Sequence, residues 1–275
     1  MSDFEALSLA DAGSVEPDGD GRYRVTLAGQ FTAFGHPTGG YLQCVMASAA
    51  LAGASAQGAT HLHATAVSTN FISVPALGPA MVSTRVRRVG RAASFVHVTL
   101  TQDDLVTTES LVTLGSLSES SRSRYQGSAA PEIAVVQECT VLAAHEGLNF
   151  HQAMEFRGDP AISRWWNGER GAGEVVLWMR LSDGGNPWDP WSTLFASDAM
   201  PPATIPLGST GWVPTLQLTS YVRRIPGSEW LRARQWCVVV ADGLVDERCE
   251  LFDDTGELVA SSSQLALVRF AKDDS

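Results

Sequence analysis

The chain has 275 residues, of which 44% are hydrophobic and 18% charged, a composition typical of globular proteins with ample material for a core. Its formal net charge of −11 argues against general nucleic-acid binding, which depends on a basic surface. No apolar run approaches the ~20 residues that span a bilayer, and the acidic N-terminus lacks the apolar segment of a secretory signal. We therefore expect a cytoplasmic protein with no membrane partner. Its four widely spaced cysteines are expected to be buried thiols in a reducing compartment.

The first predicted strand is Arg22–Leu27, where polar and apolar residues alternate. Gly39 and Gly40 then precede a helix predicted over residues 42–52 and ended by Gly53. This helix is apolar on nearly all sides, so we expect it to be buried. Its glycines leave N–H groups open to an anion or a developing oxyanion. Tight packing between strand and helix explains them equally well.

Four strands are predicted after this helix, over residues 65–73, 80–89, 93–101 and 105–114. The short separators between them have the composition of turns, which indicates an antiparallel meander. One buried helix followed by such strands indicates a sheet wrapped around a helix. Residues 116–130 are rich in serine and are predicted to form a linker.

An internal repeat with an offset of about 150 residues organises the chain. Residues 215–226 resemble residues 66–75, and both segments continue into arginine-rich strands. We therefore predict a first unit over residues 1–117, a linker over 118–140 and a second unit over 141–275. The edge strands of the two sheets could join to form one continuous sheet.

Asp198 lies in the apolar run 194–205, near the predicted C-terminal end of a short helix that Pro201 and Pro202 cannot continue. A carboxylate in such surroundings needs hydrogen-bond partners or a raised pKa. From this stretch alone, a general base in a cleft and a carboxylate that fixes the following loop are equally good interpretations.

Short motifs in both halves resemble the acyl-CoA thioesterase II family. They comprise Gly39-Gly-Tyr-Leu-Gln43, residues 70–75, Ala196-Ser-Asp198, and Ser262-Ser-Gln264 followed by Val268-Arg269. The resemblance covers roughly residues 31–115 and 173–270. It implies an α+β double hot-dog fold, in which two antiparallel sheets, each wrapped around a central helix, join into one continuous sheet.

In that family an Asp, a Thr and a Gln hold the hydrolytic water, and the matching residues here are Asp198, Thr215 and Gln264. This chain has the apolar residues Ala199, Met200 and Pro201 after the Asp, where the family member that it is compared with has polar ones. The difference can alter the pocket or the substrate, but it leaves the three residues in place.

The resulting prediction is hydrolysis of acyl-CoA thioesters without a cofactor or metal. The oligomeric state is left open, with a homodimer as one possibility. Backbone N–H groups around Gly39, Gly40 and Tyr41 are the candidate oxyanion or substrate contacts. Arginines on equivalent strands could bind the phosphates of coenzyme A or could equally be exposed charges of the sheet: Arg88, Arg91, Arg223 and Arg224.

Two alternatives remain at this point. One is a non-catalytic protein that binds acyl-CoA or an acyl group. The other is a hot-dog hydratase or dehydratase, disfavoured because no Asp/His dyad is evident near the first helix. His61 and His63 lack a third ligand at suitable spacing, so no metal site is predicted. The region that corresponds to Asp198 in the first half contains no acid, so we expect one active site per chain.

Overall fold

The computed structural model describes residues 8–118, 122–143, 146–182 and 188–271. The helices in these ranges are α1 (Leu9–Ala12), α2 (Gly39–Ser55) and α3 (Pro190–Ala196). Short 3-10 helices lie at Gly29–Phe31, Asn149–Gln152 and Arg164–Asn167.

Strands make up most of the remaining structure. The strands before residue 118 are β1 (Glu16–Pro17), β2 (Arg22–Leu27), β3 (Thr32–Ala33), β4 (His36–Pro37), β5 (His63–Phe71), β6 (Gly78–Arg88), β7 (Ser94–Gln102) and β8 (Leu105–Gly115). The later strands are β9 (Thr140–Val141), β10 (Met154–Gly158), β11 (Glu174–Leu181), β12 (Thr215–Val222), β13 (Leu231–Ala241), β14 (Leu244–Phe252) and β15 (Leu258–Leu267).

Thirteen of these described strands form one antiparallel sheet, in the order β1-β2-β6-β7-β8-β5-β12-β15-β14-β13-β11-β10-β9, while β3 and β4 pair with each other. The two halves meet at β5 and β12, whose register runs from Asn70 opposite Gln217 to Ala66 opposite Tyr221. Outward from this seam, β8, β7, β6 and β2 on one side mirror β15, β14, β13 and β11 on the other. The continuous sheet expected from the sequence is therefore present.

Strand order within the first half departs from the predicted meander. β6, β7 and β8 are consecutive neighbours, but β5 pairs with β8 rather than with β6. β5 thereby becomes a central strand, with β8 on one side and β12 on the other. The turn between β7 and β8 contains Asp103 and Asp104 at φ of 48° and 61°, the left-handed conformation that tight hairpins require.

α2 is longer than predicted at both ends. Thr38 caps it by accepting a hydrogen bond from the Tyr41 N–H, and the helix continues through Gly53 to Ser55. The expectation that Gly53 ends the helix is wrong. A Cβ at this position would lie 2.5 Å from Thr84 Oγ1, so this glycine allows α2 to pack closely against β6.

The helices α2 and α3 lie on the buried face of the sheet. α2 packs against β5, β6, β7 and β8, and α3 packs against α2, β12 and β15. The main hydrophobic core contains residues of both halves. All four cysteines are free, as expected, and three of them are buried. None of the described helices has the length and apolarity needed to cross a membrane.

The segment predicted as a linker is hydrogen-bonded to the second half. Residues 122–139 contain no helix or strand, whereas residues 119–121 lie outside the described ranges. Gln126 donates to the Gly256 carbonyl and accepts from the Leu258 N–H, at 2.8 and 2.7 Å. Ser128 donates to Glu250 at 2.6 Å. The polar side chains of this segment therefore form specific contacts.

Candidate active site

Asp198 lies just beyond the end of α3. Asp189 and Ser192 form a capping box at the start of this helix, and Ser197 is its C-cap residue. The Ser197 hydroxyl is hydrogen-bonded to Ser220 Oγ at 2.9 Å, and the Ser197 carbonyl accepts from Ser262 Oγ at 2.6 Å. The residue before Asp198 is thus fixed to β12 and β15. Asp198 was expected near the helix end, and it follows the C-cap residue directly.

The first turn of α2 meets this carboxylate. The Gly40 N–H donates to Asp198 Oδ2 at 2.6 Å, where the positive end of the helix dipole favours an anion. A Cβ on Gly40 would lie 2.8 Å from the Phe195 carbonyl oxygen and 3.0 Å from Asp198 Cβ. A Cβ on Gly39 would lie 3.0 Å from Asp198 Oδ2. Both glycines therefore permit the approach of the two helices.

Burial raises the pKa of Asp198 to about 7. The Gly40 N–H opposes this shift because it stabilises the carboxylate, while the charge of Glu247 adds to it. The apolar residues Ala199 and Met200 are buried in the core beside it. Burial thus outweighs hydrogen bonding at Asp198, a balance that the sequence leaves undetermined.

Thr215 and Gln264 are in direct contact. Thr215 Oγ1 donates to Gln264 Oε1 at 2.9 Å across β12 and β15. A bulge between Thr215 and Gln217 shifts the register of these strands and so redirects the first residue of β12. Among the described residues, neither side chain forms a direct hydrogen bond with Asp198.

Glu247 was not identified from the sequence. It connects Gln264 with the loop that follows Asp198. It lies on β14, fully buried, and accepts from Gln264 Nε2 at 2.6 Å and from the Ala203 N–H at 2.7 Å. Ala203 belongs to the loop that follows Asp198. An acid in the buried alternation of Val245, Glu247 and Cys249 is a signal that could have revealed this residue.

The candidate oxyanion donors differ in their availability. The Gly40 N–H bonds Asp198, and the Tyr41 N–H bonds the Thr38 hydroxyl at 3.4 Å. The Tyr41 ring is fully buried, and its hydroxyl donates to the Ala12 carbonyl and accepts from the Ala28 N–H. Within the described ranges, only the Gly39 N–H of these three has no acceptor.

The four predicted arginines are not brought together. In the sheet, Arg88 lies opposite Phe95, and Phe95 lies opposite Thr113. Thr113 lies opposite Ala66, and Ala66 lies opposite Tyr221, two residues before Arg223. Four strand spacings of ~4.8 Å thus separate Arg88 from the end of β12, a distance of about 19 Å. Arg91 lies in the turn after β6.

Two cavities lie away from Asp198. The larger, of about 1830 Å³, is lined by residues of the N-terminal segment, β2, β6 and the β7–β8 turn, and not by Asp198, Thr215 or Gln264. The smaller, of about 650 Å³, is a basic cavity lined by Arg122, Arg124, Tyr125, Arg223, Arg224 and neighbouring residues. Arg224 is paired there with Asp253 at 3.5 Å and Glu257 at 3.7 Å. Arg223 and Arg224 therefore lie in a cavity that could accept phosphate groups.

The two histidines considered for a metal site have other partners. His61 Nδ1 is 3.0 Å from Ser94 Oγ, and His63 Nδ1 accepts from the Leu117 N–H at 2.9 Å. Burial lowers the pKa of His63. In the part of the chain that the structure describes, no three His, Cys, Asp or Glu side chains are grouped so that they could hold a metal ion.

Comparisons with known proteins agree with this architecture. The family model of the acyl-CoA thioesterase N-terminal domain matches residues 27–115, and that of the C-terminal domain matches residues 136–268. A solved structure from Thermobifida fusca YX, of a protein proposed to be a thioesterase II, is 32% identical. It has a TM-score of 0.84, and the alignment covers 96% of this chain and 98% of that one.

Two further relatives are more distant. A protein of unknown function with a hot-dog fold from Alicyclobacillus acidocaldarius is 20% identical, with a TM-score of 0.81 over 97% of this chain and 99% of that one. An uncharacterised protein of Mycobacterium tuberculosis is 29% identical over 223 residues, which are 74% of this chain and 75% of that protein.

The large antiparallel sheet with its buried helices is a hot-dog fold. Because the two family models together cover more than half of its length, the chain belongs to the acyl-CoA thioesterase family.

Proposed function

We propose that this protein hydrolyses acyl-CoA thioesters to a free acid and coenzyme A, with Asp198 as general base and with Thr215 and Gln264 holding the attacking water. The observation that carries the proposal is the Asp198 carboxyl group. It has a pKa of about 7 and accepts a hydrogen bond from a helix N-terminus contributed by the other half of the chain. A base with a pKa near the working pH is well suited to removing a proton from water.

The chemistry needs no covalent intermediate. Asp198 Oδ1, which is not the oxygen bonded to Gly40, takes a proton as the water oxygen attacks the thioester carbonyl carbon. The tetrahedral intermediate then collapses and the carbon–sulfur bond breaks. The coenzyme A thiolate leaves with the proton that Asp198 had accepted, and the carboxyl group returns to its ionised form.

Thr215 and Gln264 have the groups needed to orient that water. Because Thr215 donates its proton to Gln264, its oxygen lone pairs remain able to accept from water. Gln264 Nε2 uses one N–H for Glu247 and retains a second one for the water oxygen. The Gly39 N–H is the remaining candidate donor to the oxyanion. Such a donor contributes ~3–4 kcal/mol to the transition state in hydrolases.

The basic cavity suits the nucleotide end of coenzyme A. It contains Arg223 and Arg224, which follow β12, while Thr215 begins that strand. The eight residue steps from Thr215 to Arg223 span about 26 Å at ~3.3 Å each, so an extended substrate would be required. Arg88 and Arg91 lie too far from this cavity to act with it, and we assign them no part in binding.

We also infer that the two halves are copies of one unit, over residues 1–117 and 141–275, of which only the second has the catalytic acid. The mirrored strand order supports this inference. So does a repeated detail, because the N–H groups of Ile72 and Ser73 both donate to Thr107, and those of Arg223 and Arg224 both donate to Val259.

The test is release of free thiol from acyl-CoAs of increasing chain length, from acetyl to palmitoyl, by the wild type and by Asp198→Asn. General-base catalysis contributes roughly 10²- to 10⁴-fold, so Asp198→Asn should lose at least about 100-fold in kcat. Asp246→Asn is a matched control, because Asp246 precedes Glu247 on β14 and so faces the other side of the sheet.

Two results would contradict the proposal. If the wild type binds acyl-CoAs yet releases no thiol at any chain length, the protein is a binding protein. If Asp198→Asn retains wild-type activity, another group is the base.

A further inference from the structure

Glu247 is a buried acid to which the proposed mechanism assigns no role, and its surroundings are unusual for such a residue. Its side chain is fully buried, and each of its partners among the described residues is a donor: Gln264 Nε2, Gln235 Nε2, the N–H groups of Ala203 and Thr204 and, at 4.0 Å, Cys237 Sγ. Converging donors satisfy an ionised carboxylate and leave a protonated one without an acceptor. Burial raises the pKa of Glu247 and its donors oppose that rise, so an acid kept at this position needs a reason.

We propose that Glu247 is a positioning residue of the hydrolytic site: it sets the orientation of the Gln264 amide and holds the loop after Asp198 against the sheet. This inference rests on the proposed function, because it concerns the residues assigned there to the water.

The orientation of the amide follows from hydrogen-bond chemistry. A carboxylate only accepts hydrogen bonds, so it selects the NH₂ end of Gln264 and turns the carbonyl end toward Thr215. The distances of 2.6 Å from Gln264 Nε2 to Glu247 Oε2 and 2.9 Å from Thr215 Oγ1 to Gln264 Oε1 fit this arrangement. With the amide reversed, two acceptors, Gln264 Oε1 and a Glu247 carboxylate oxygen, would face each other, and Thr215 would use one of its two lone pairs for Gln264.

The loop contact is equally specific. Pro201 and Pro202 have no N–H, so Ala203 is the first residue after them that can donate from its backbone. Its N–H donates to Glu247 Oε1 at 2.7 Å. One carboxylate therefore holds the segment beginning at Asp198 with one oxygen and the Gln264 amide with the other.

Glu247 also affects the proton affinity of the base, because its charge raises the pKa of Asp198. Three other titratable groups surround the pair: Cys44 on α2, Cys237 on β13 and Cys249 on β14. Burial raises the pKa of each thiol, that of Cys237 to about 12, so the thiols stay neutral while Asp198 titrates.

Two substitutions separate charge from position. Glu247→Gln removes the charge and introduces an amide that can accept or donate. Glu247→Asp keeps the charge but is one methylene shorter, so it cannot reach both partners. Glu250→Gln is a matched control on the same strand, where Glu250 bonds Ser128. For each variant, kcat and KM are measured against pH, and the Asp198 carboxyl group is titrated by carbon-13 NMR.

We expect Glu247→Gln to lower kcat about 10-fold or more with a smaller change in KM, and to move the acidic limb of the pH profile to lower pH. Glu247→Asp should lose a similar factor in kcat but keep the limb in place, and Glu250→Gln should match the wild type. Unchanged kcat in either Glu247 variant overturns the proposal, and so does an unchanged limb in Glu247→Gln. Should Glu247→Gln fail to fold, Glu247→Asp still decides.

The NMR titration distinguishes this inference from the proposed function. If the wild type is inactive, hydrolysis is refuted, while a lowered Asp198 pKa in Glu247→Gln still supports the coupling of the two acids. If the pKa of Asp198 is the same with and without the Glu247 charge, the inference fails even in an active enzyme.

Discussion

Asp198 combines two features that are separately unfavourable, a charge and an apolar setting, and their combination makes it suitable as a base. An exposed aspartate is ionised at neutral pH but accepts protons weakly, whereas a pKa of about 7 allows both proton uptake and release. The Gly40 N–H stabilises the ionised form enough to keep it populated.

This pKa predicts the pH dependence of the reaction. If the ionised form of Asp198 is the base, as proposed, kcat/KM should rise about tenfold per pH unit below pH 7 and level off above it. Initial rates on one acyl-CoA between about pH 5 and about pH 9 would give the profile. A rate that stays constant down to about pH 5, as an ordinary aspartate pKa of 3.8 would give, would contradict a base with this raised pKa.

Stability should also depend on this carboxyl group. Its folded-state pKa of about 7 lies above the ordinary value of 3.8, so its contribution is complete below pH 4 and is lost as pH rises through 7. Asp198→Asn cannot ionise, so it should be more stable than the wild type at pH 8, by at most about 4 kcal/mol. The difference should shrink toward pH 4.

Urea unfolding of both proteins at several pH values would measure this difference. Asp246→Asn serves again as the control and should show no comparable trend. A gap between Asp198→Asn and wild type that does not change with pH would show that ionisation of Asp198 does not oppose folding.

At the scale of elements, the site depends on how closely α2 and α3 approach each other. Gly40 is the contact point, since its missing Cβ leaves room for the Phe195 carbonyl and for Asp198. Neither helix holds the carboxylate alone, because the acid directly follows the C-cap residue of α3 and α2 supplies the donor.

Gly40→Ala should therefore separate the helices and lengthen the bond to Asp198. Overpacking of this kind costs typically 1–3 kcal/mol, and we expect a comparable loss of stability with a loss of kcat of about 10-fold or more. Chemical unfolding and thiol release would be measured together. Gly227→Ala, at a glycine with open space around it, is the control. A fully active, equally stable Gly40→Ala would show that the approach is not needed.

The segment after β12 offers a test of substrate binding. If Arg223 binds phosphate in the basic cavity, Arg223→Ala should raise KM for acyl-CoA about 10-fold with little change in kcat. The same variant should be indistinguishable from wild type on an acyl-pantetheine, which has no phosphate groups. Equal effects on both substrates would place the phosphates elsewhere.

At the scale of the whole molecule, the two halves share one sheet and one core. The β5–β12 seam carries backbone pairing from Asn70 to Ala66, and the hydroxyls of Ser68 and Thr219 lie 2.9 Å apart across it. The contact between Gly40 and Asp198 crosses the same boundary on the helix side.

The protein should consequently unfold in one transition. Because the main core draws residues from both halves, neither half can lose its structure without exposing the apolar surface of the other. Far-ultraviolet circular dichroism and tryptophan fluorescence should give coincident urea curves. Two separate transitions would show that the halves are independent domains.

Much of this architecture could be predicted because local chemistry and periodicity determine it. The alternation in Arg22–Leu27, the turn at Asp103 and Asp104, and the apolar helix after Gly39 each specify their own conformation. Gly53 was misread because a glycine that ends a helix and one that packs against a strand look the same in sequence. The pairing of β5 with β8 could not be predicted from turn lengths, since it is a contact between distant segments.

The sequence by itself determined the fold class, the family resemblance and the identities of Asp198, Thr215 and Gln264 as candidate site residues. Only the tertiary structure decided the pKa of Asp198, because that value depends on burial and on partners such as Gly40, 158 residues away. It also decided that Glu247 bonds both Gln264 and the loop after Asp198. Electrostatic shifts and converging hydrogen bonds arise from distances in space, which residues far apart in the chain acquire only when the sheet forms.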